Sequence, residues 1–187
     1  MLAMKTLPTI SDRRHVLFLG FATALLAGCG TPVQRTRTTA STPSVTRSAS
    51  QLALDMSGRE AAVARAMLVV NTPYRYGGNT PEGGFDCSGL VQYVLTDLGT
   101  ARLPRSTSQW AAASAPVPEG AMQRGDLVFF NTSGQPFSHM GIYVGNGQFV
   151  HAPSSGGTVR KDSLSSRYFS TRYLGARSVF AQATSGG

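Results

Sequence analysis

The chain has 187 residues, 17 Lys+Arg against 9 Asp+Glu for a formal charge of +8, and 41% hydrophobic residues. The apolar share sustains a folded core, and the length suits one domain with flanking segments rather than two full domains. Two cysteines are too few for a disulfide framework.

Lys5, Arg13 and Arg14 precede an apolar run from Val16 to Leu26. That run is too short to cross a bilayer, which takes roughly 20 helical residues. Basic residues, a short apolar stretch and small residues before a cut read as an export signal over residues 1–28. Leu26-Ala27-Gly28-Cys29 resembles a bacterial lipobox, with Cys29 as the lipidated first residue of the mature chain. Several acyl tails, palmitate among them, anchor stably where one would be marginal. Gly30 stands where an aspartate would favour retention in the inner membrane of a Gram-negative bacterium, so the expected location is the periplasmic face of the outer membrane. Cys29 and the Thr-, Ser-, Ala- and Pro-rich residues that follow it, 29–50, have too few apolar side chains to repay ordering and read as a disordered tether.

The mature chain keeps 14 Lys+Arg and 8 Asp+Glu, a net of +6. Nucleic acid is not the expected partner: Lys161 is the only mature lysine, the arginines are scattered, and export removes the ligand. An anionic wall polymer suits the charge better. The membrane partner comes through Cys29, and the protein is expected to be a monomer.

The remaining residues, 51–187, suit one compact domain. Ala62, Val63, Ala66, Met67 and Val70 recur at helical spacing, predicting a helix from Arg59 to Val70 that Pro73 ends. Tyr74 to Gly84 is a glycine-rich loop that excludes regular structure. A second helix starts at Asp86 or Cys87 and buries Leu90, Val91, Val94, Leu95 and Leu98. Ser106 caps a third, over Thr107 to Ala113. The period then switches: Gly125 to Phe130, His139 to Val144, Gln148 to His151 and Arg172 to Phe180 read as strands. Asn146-Gly147 is a strong hairpin signal between two of them. Helices first and antiparallel strands afterwards is an α+β pattern, with N-terminal helices packed on a small sheet.

Cys87 at a helix start, followed by His139 and His151 on neighbouring strands, is the minimal set for thiol-based acyl transfer. A helix N-terminus and a nearby imidazolium would both lower the thiol's pKa. The two histidines are twelve residues apart, an even number, so alternation around a two-residue turn is compatible with both facing one side. His139 would then be the base and His151 its orienter. Backbone N–H groups of Cys87 and Ser88 would serve an oxyanion, with the Tyr74 hydroxyl as a further donor. Gly77 and Gly78 would let the loop pass close to the substrate, and Asp86 is a helix N-cap that also stands within reach of it. A zinc site is disfavoured because Cys87, His139 and His151 leave a fourth ligand to be found. No metal or other cofactor is expected.

Thr72-Pro73-Tyr74-Arg75-Tyr76-Gly77-Gly78, Phe85-Asp86-Cys87-Ser88-Gly89-Leu90-Val91, Leu103-Pro104-Arg105-Ser106-Thr107, Gly125-Asp126-Leu127-Val128-Phe129-Phe130, His139-Met140-Gly141-Ile142-Tyr143-Val144-Gly145 and Phe149-Val150-His151-Ala152 resemble, in order, the NlpC-type family of bacterial cell-wall peptidases. With its lipoprotein leader, the chain looks most like the Spr-type murein endopeptidases in it. The resemblance implies a reduced papain-like fold, with Cys87, His139 and His151 as catalytic residues and Tyr74 beside the oxyanion. It further implies that Asp86 and Ser88 grip the peptide. The implied activity is hydrolysis of D-configured bonds in peptidoglycan, either D-glutamyl–diaminopimelate or diaminopimelate–D-alanine. Two alternatives stay open: transfer of the same acyl group to an amine or lipid, and a non-catalytic wall-binding lipoprotein.

Overall fold

A computed structural model describes residues 51–99, 102–155 and 157–181. The export signal, Cys29 and the tether lie outside the described residues.

The elements run in chain order. β1 (Leu54–Asp55) and a 3-10 turn (Met56–Gly58) lead into α1 (Arg59–Leu68), followed by β2 (Asn79–Thr80), β3 (Gly84–Phe85), α2 (Cys87–Leu95) and a 3-10 turn (Thr96–Leu98). Next come α3 (Thr107–Ala113), β4 (Ala115–Pro116), β5 (Leu127–Phe130), β6 (His139–Gly145), β7 (Gln148–His151) and β8 (Arg160–Ser163). α4 (Arg167–Ser170), β9 (Tyr173–Ser178) and β10 (Phe180–Ala181) close the described chain. This is the α+β class expected. α1 stops short of Val70 because Asn71 turns to φ 75° before Pro73. α3 begins as its sequence predicts: the Ser106 hydroxyl accepts from Gln109 N–H and the Gln109 side chain accepts from Ser106 N–H, a capping box.

One six-stranded sheet, ordered β4-β9-β5-β6-β7-β8 with antiparallel neighbours, carries the domain. Leu127, Phe129, Met140, Ile142 and Val150 join Val63, Leu90, Val91 and Val94 of α1 and α2 in one core. Val128, Phe130 and Phe149, on the other face, pack with Phe169 of α4 in a second, smaller core. Two of the departures from the expectation flank the site. β8 reads Arg-Lys-Asp-Ser, a polar edge strand without apolar alternation, so the pattern carried no strand signal there. The glycine-rich loop also holds a small hairpin, β2 with β3.

The β6–β7 hairpin positions the site. Asn146 and Gly147 both take left-handed φ, 53° and 70°, as a type I′ turn requires. A strict ladder from that turn would set His151 opposite Ile142, on the face opposite to His139. The pairs observed are Gly145↔Gln148, Tyr143↔Phe149 and Ile142↔Val150, leaving Val144 as an unpaired extra residue. The bulge slides β7 by one position and brings His151 to the side of His139. Alternation around a two-residue turn therefore does not suffice to place the histidines together; the bulge does. Gly141 lies between them, where a Cβ would come within 2.7 Å of the Phe149 ring and Val150 O and 3.1 Å of His151 Cβ.

Candidate active site

Cys87 is the first residue of α2 and is half-buried. Asp86 caps the helix, its Oδ1 accepting from Gly89 N–H at 2.6 Å, while Oδ2 accepts from Gly77 N–H at 3.0 Å. Arg105 closes the cluster. Its Nη2 donates to Asp86 Oδ2 at 2.8 Å and its Nη1 to Ser88 Oγ at 2.9 Å, and Ser88 in turn donates to Asp86 at 3.0 Å. Burial raises the Asp86 carboxyl, but the Arg105, Gly89 and Ser88 hydrogen bonds outweigh it and hold the group below its usual range. Gly78 seats the loop on α2: a Cβ on Gly89 would fall 2.0 Å from Gly78 O.

The thiol departs from expectation too. Burial pushes Cys87 up to about 11, and the Asp86 charge adds to the rise. Backbone N–H groups of Met140, Ser88 and Cys87 act in the opposite direction, as a helix start should, but burial wins. The half-buried Tyr74 phenol is raised by its own burial and then by the charges of Cys87 and Asp86, which keeps its hydroxyl a donor.

His139 opens β6 and His151 closes β7; both are buried. His139 Nε2 and His151 Nδ1 lie 2.8 Å apart, and His151 Nε2 lies 2.8 Å from Asp162 Oδ2 on β8. Arg160 Nε donates to the same Oδ2 at 2.9 Å. Phe130 packs on the His139 ring, Phe149 on the His151 ring and Phe169 on both. Burial lowers His139 to about 3, with the His151 and Arg160 charges adding and Asp162 opposing. His151 is lowered by burial against the pull of Asp162. At neutral pH the structure therefore holds a thiol and neutral imidazoles.

The structure brings His139 and His151 together, and Tyr74, Asp86 and Ser88 around the start of α2. α2 packs on the Met140 face of β6 and the histidines stand on the other, so Cys87 meets the sheet at the Met140 amide, next to His139. Among the described residues no hydrogen bond joins Cys87 to His139. A cleft of about 370 Å³ runs along the histidine side, walled by His139, His151, Arg160, Asp162, Tyr168 and Phe169; Cys87 does not line it. Among the described residues no group of three or more His, Cys, Asp or Glu is arranged to hold a metal ion. Sequence reasoning missed Asp162 and Arg160, for which the polar edge strand left no signal. It also left Arg105 without a role, although the residue sat within a quoted motif.

The NlpC/P60 family model matches residues 71–178, the span that contains these residues. Murein DD-endopeptidase MepH of Escherichia coli K12 is 41% identical over 126 residues, 66% of this chain and 46% of that protein. Probable endopeptidase NlpC of the same organism is 44% identical over 109 residues, 58% of this chain and 70% of that protein. The crystal structure of an NLP/P60-family protein similar to lipoprotein, from Staphylococcus aureus, superposes with a TM-score of 0.60 at 32% identity, covering 71% of this chain and 45% of that one. The chain spans about half the length or less of the first three curated relatives it matches. With a family model spanning more than half of the chain and the same fold in a solved relative, this protein belongs to the NlpC/P60 family.

Proposed function

We propose that this chain is a cysteine peptidase that hydrolyses peptide bonds in peptidoglycan, with Cys87 as nucleophile, His139 as base and then acid, and His151 as the group that orients it. The observation that carries the reading is the 2.8 Å His139–His151 contact beside a thiol at a helix start, within a family match that spans both. Because each group resists charge on its own, thiolate and imidazolium form together as the substrate carbonyl is attacked, each offsetting the other's loss of water. Sulfur bonds to the carbonyl carbon, and the oxyanion takes hydrogen bonds from backbone N–H at the start of α2 and from Tyr74. Collapse breaks the C–N bond, and His139 returns its proton to the leaving amine. Water, deprotonated by His139, then attacks the thioester and frees the thiol.

Asp86 and Ser88, held by Arg105, form the polar wall for the stem peptide. The relative named as a murein DD-endopeptidase favours the cross-link as the bond cut. Lipidation at Cys29, a tether and a place at the outer membrane complete the reading. It rests there on the leader sequence, and Cys29→Ala should abolish uptake of labelled fatty acid.

The deciding experiment digests purified sacculi and identifies the products by mass. Wild type should release cut muropeptides, and Cys87→Ser should release none while folding normally. Wild-type rates in that variant would end the cysteine-peptidase reading. Products carrying an added amine would favour acyl transfer instead.

A further inference from the structure

The chain of contacts behind Cys87 does not stop at His151. Three side chains from three strands lie in series, His139 on β6, His151 on β7 and Asp162 on β8, joined by two contacts of 2.8 Å. Four imidazole nitrogens are involved, and the only one without a partner among the described residues is His139 Nδ1. The proton inventory follows from the end of the series. Asp162 is held below its usual pKa because the His151 and Arg160 hydrogen bonds outweigh its partial burial, so it is a carboxylate that only accepts. His151 must therefore carry its proton on Nε2. As a neutral imidazole it then offers a lone pair at Nδ1. His139 must supply the proton of that contact from its own Nε2, which leaves the lone pair of His139 on Nδ1.

We propose that Asp162 is a positioning residue that sets the tautomer of both histidines and so makes His139 Nδ1 the base. This deepens the proposed cysteine-peptidase function, because a base at Nδ1 matters only if His139 takes the thiol proton. Arg160 has a part in it. Its Nε can only donate, and it donates to the same Oδ2 that faces His151, so whatever occupies that position must be an oxygen acceptor. The groups facing the pair are Asp162 and Arg160 from β8 and Tyr168 from α4, while Cys87 meets β6 at the Met140 amide; of these, Asp162 is the one that contacts an imidazole nitrogen.

The test reads tautomers and rates separately on the full chain. Long-range ¹⁵N–¹H correlation spectra near neutral pH should show both His139 and His151 protonated at Nε2 in the wild type. In Asp162→Ala the acceptor is gone, and both rings should become tautomer mixtures. On one defined muropeptide, kcat should fall roughly 10–100-fold with KM within about twofold, the range for losing an orienting hydrogen bond rather than the base itself. In Asp162→Asn, Arg160 keeps the amide oxygen toward His151, so the tautomers should persist and most of the rate should return. Because this variant is close in shape, it answers even if Asp162→Ala fails to fold. His139 protonated at Nδ1 in the wild type would overturn the proposal. So would unchanged tautomers in Asp162→Ala, or an Asp162→Asn enzyme as slow as Asp162→Ala. The expected tautomers in a protein that leaves sacculi uncut would uphold the inference and end the peptidase reading instead.

Discussion

His139 and His151 share one contact from opposite ends, yet the proposed function gives them different duties. On the proposed mechanism His139 moves the proton, while His151 holds a ring whose geometry Phe130 and Phe169 already restrict. His139→Ala should therefore lose activity as completely as loss of the thiol, whereas His151→Gln keeps a polar group and a measurable rate. General acid–base help is worth about 10²–10⁴-fold, which bounds the gap between them. Steady-state rates on one muropeptide, with folding checked by circular dichroism, compare the two; equal inactivity in folded proteins would mean the roles are shared or exchanged. The same burial sets the pH profile. A histidine lowered from 6.5 to about 3 moves the acid limb of kcat/KM well below 6.5. A thiol raised from 9.0 to about 11 moves the alkaline limb above 9.0. The expected profile is a broad plateau across neutral pH, and a narrow bell centred between 6.5 and 9.0 would contradict the neutral thiol–imidazole pair.

At the scale of elements, the β6–β7 hairpin carries the decisive irregularity. Val144 is the residue that the ladder skips, so deleting it leaves Ile142↔Val150 paired and both histidines on one face. That variant should keep measurable hydrolysis, even though Arg124 loses the Val144 carbonyl it holds at 2.6 Å. Gly141→Ala is the opposite case. Its Cβ meets a neighbouring backbone oxygen at 2.7 Å, which cannot step aside as a flexible side chain would. The strands must part between the histidines, at a cost of about 1–3 kcal/mol in stability. Activity should fall at least tenfold further than the unfolded fraction explains. Denaturant melts and rates on both variants test the point: an active Gly141→Ala with an inactive Val144 deletion would refute this account of how the histidines meet.

Across the domain, the histidine pair is buried against the second core, beneath α4, and that makes folding sensitive to acid. An unfolded imidazole titrates near 6.5 and folded His139 near 3, so below 6.5 the unfolded chain binds a proton that the folded chain refuses. Stability is complete above about 6.5 and falls as pH drops toward 3, with His139 alone costing up to ~5 kcal/mol. That is comparable with the whole stability of a typical domain, about 5–15 kcal/mol. Urea midpoints measured between pH 7 and 4 should fall steeply for the wild type and less for His139→Gln. Parallel curves would show that His139 is not the group responsible.

The order of residues was enough to determine the α+β class, the three main helices, the Asn146-Gly147 turn and the family, because each rests on local periodicity, capping chemistry or contiguous motifs. It was likewise enough to single out Cys87, His139 and His151, since few residue types suit the proposed chemistry and residues 29–187 hold no other histidine. Only the tertiary structure decided what those residues experience. The Val144 bulge is a register shift seen only in the paired strands, and without it alternation would have sent the histidines to opposite faces. Asp162 and Arg160 reach the site from a polar edge strand, and Arg105 reaches Asp86 across 19 positions of sequence. The charge states turned on burial, a property of the packed molecule: a helix start predicts an acidic thiol, but the desolvation that comes with close packing outweighs it.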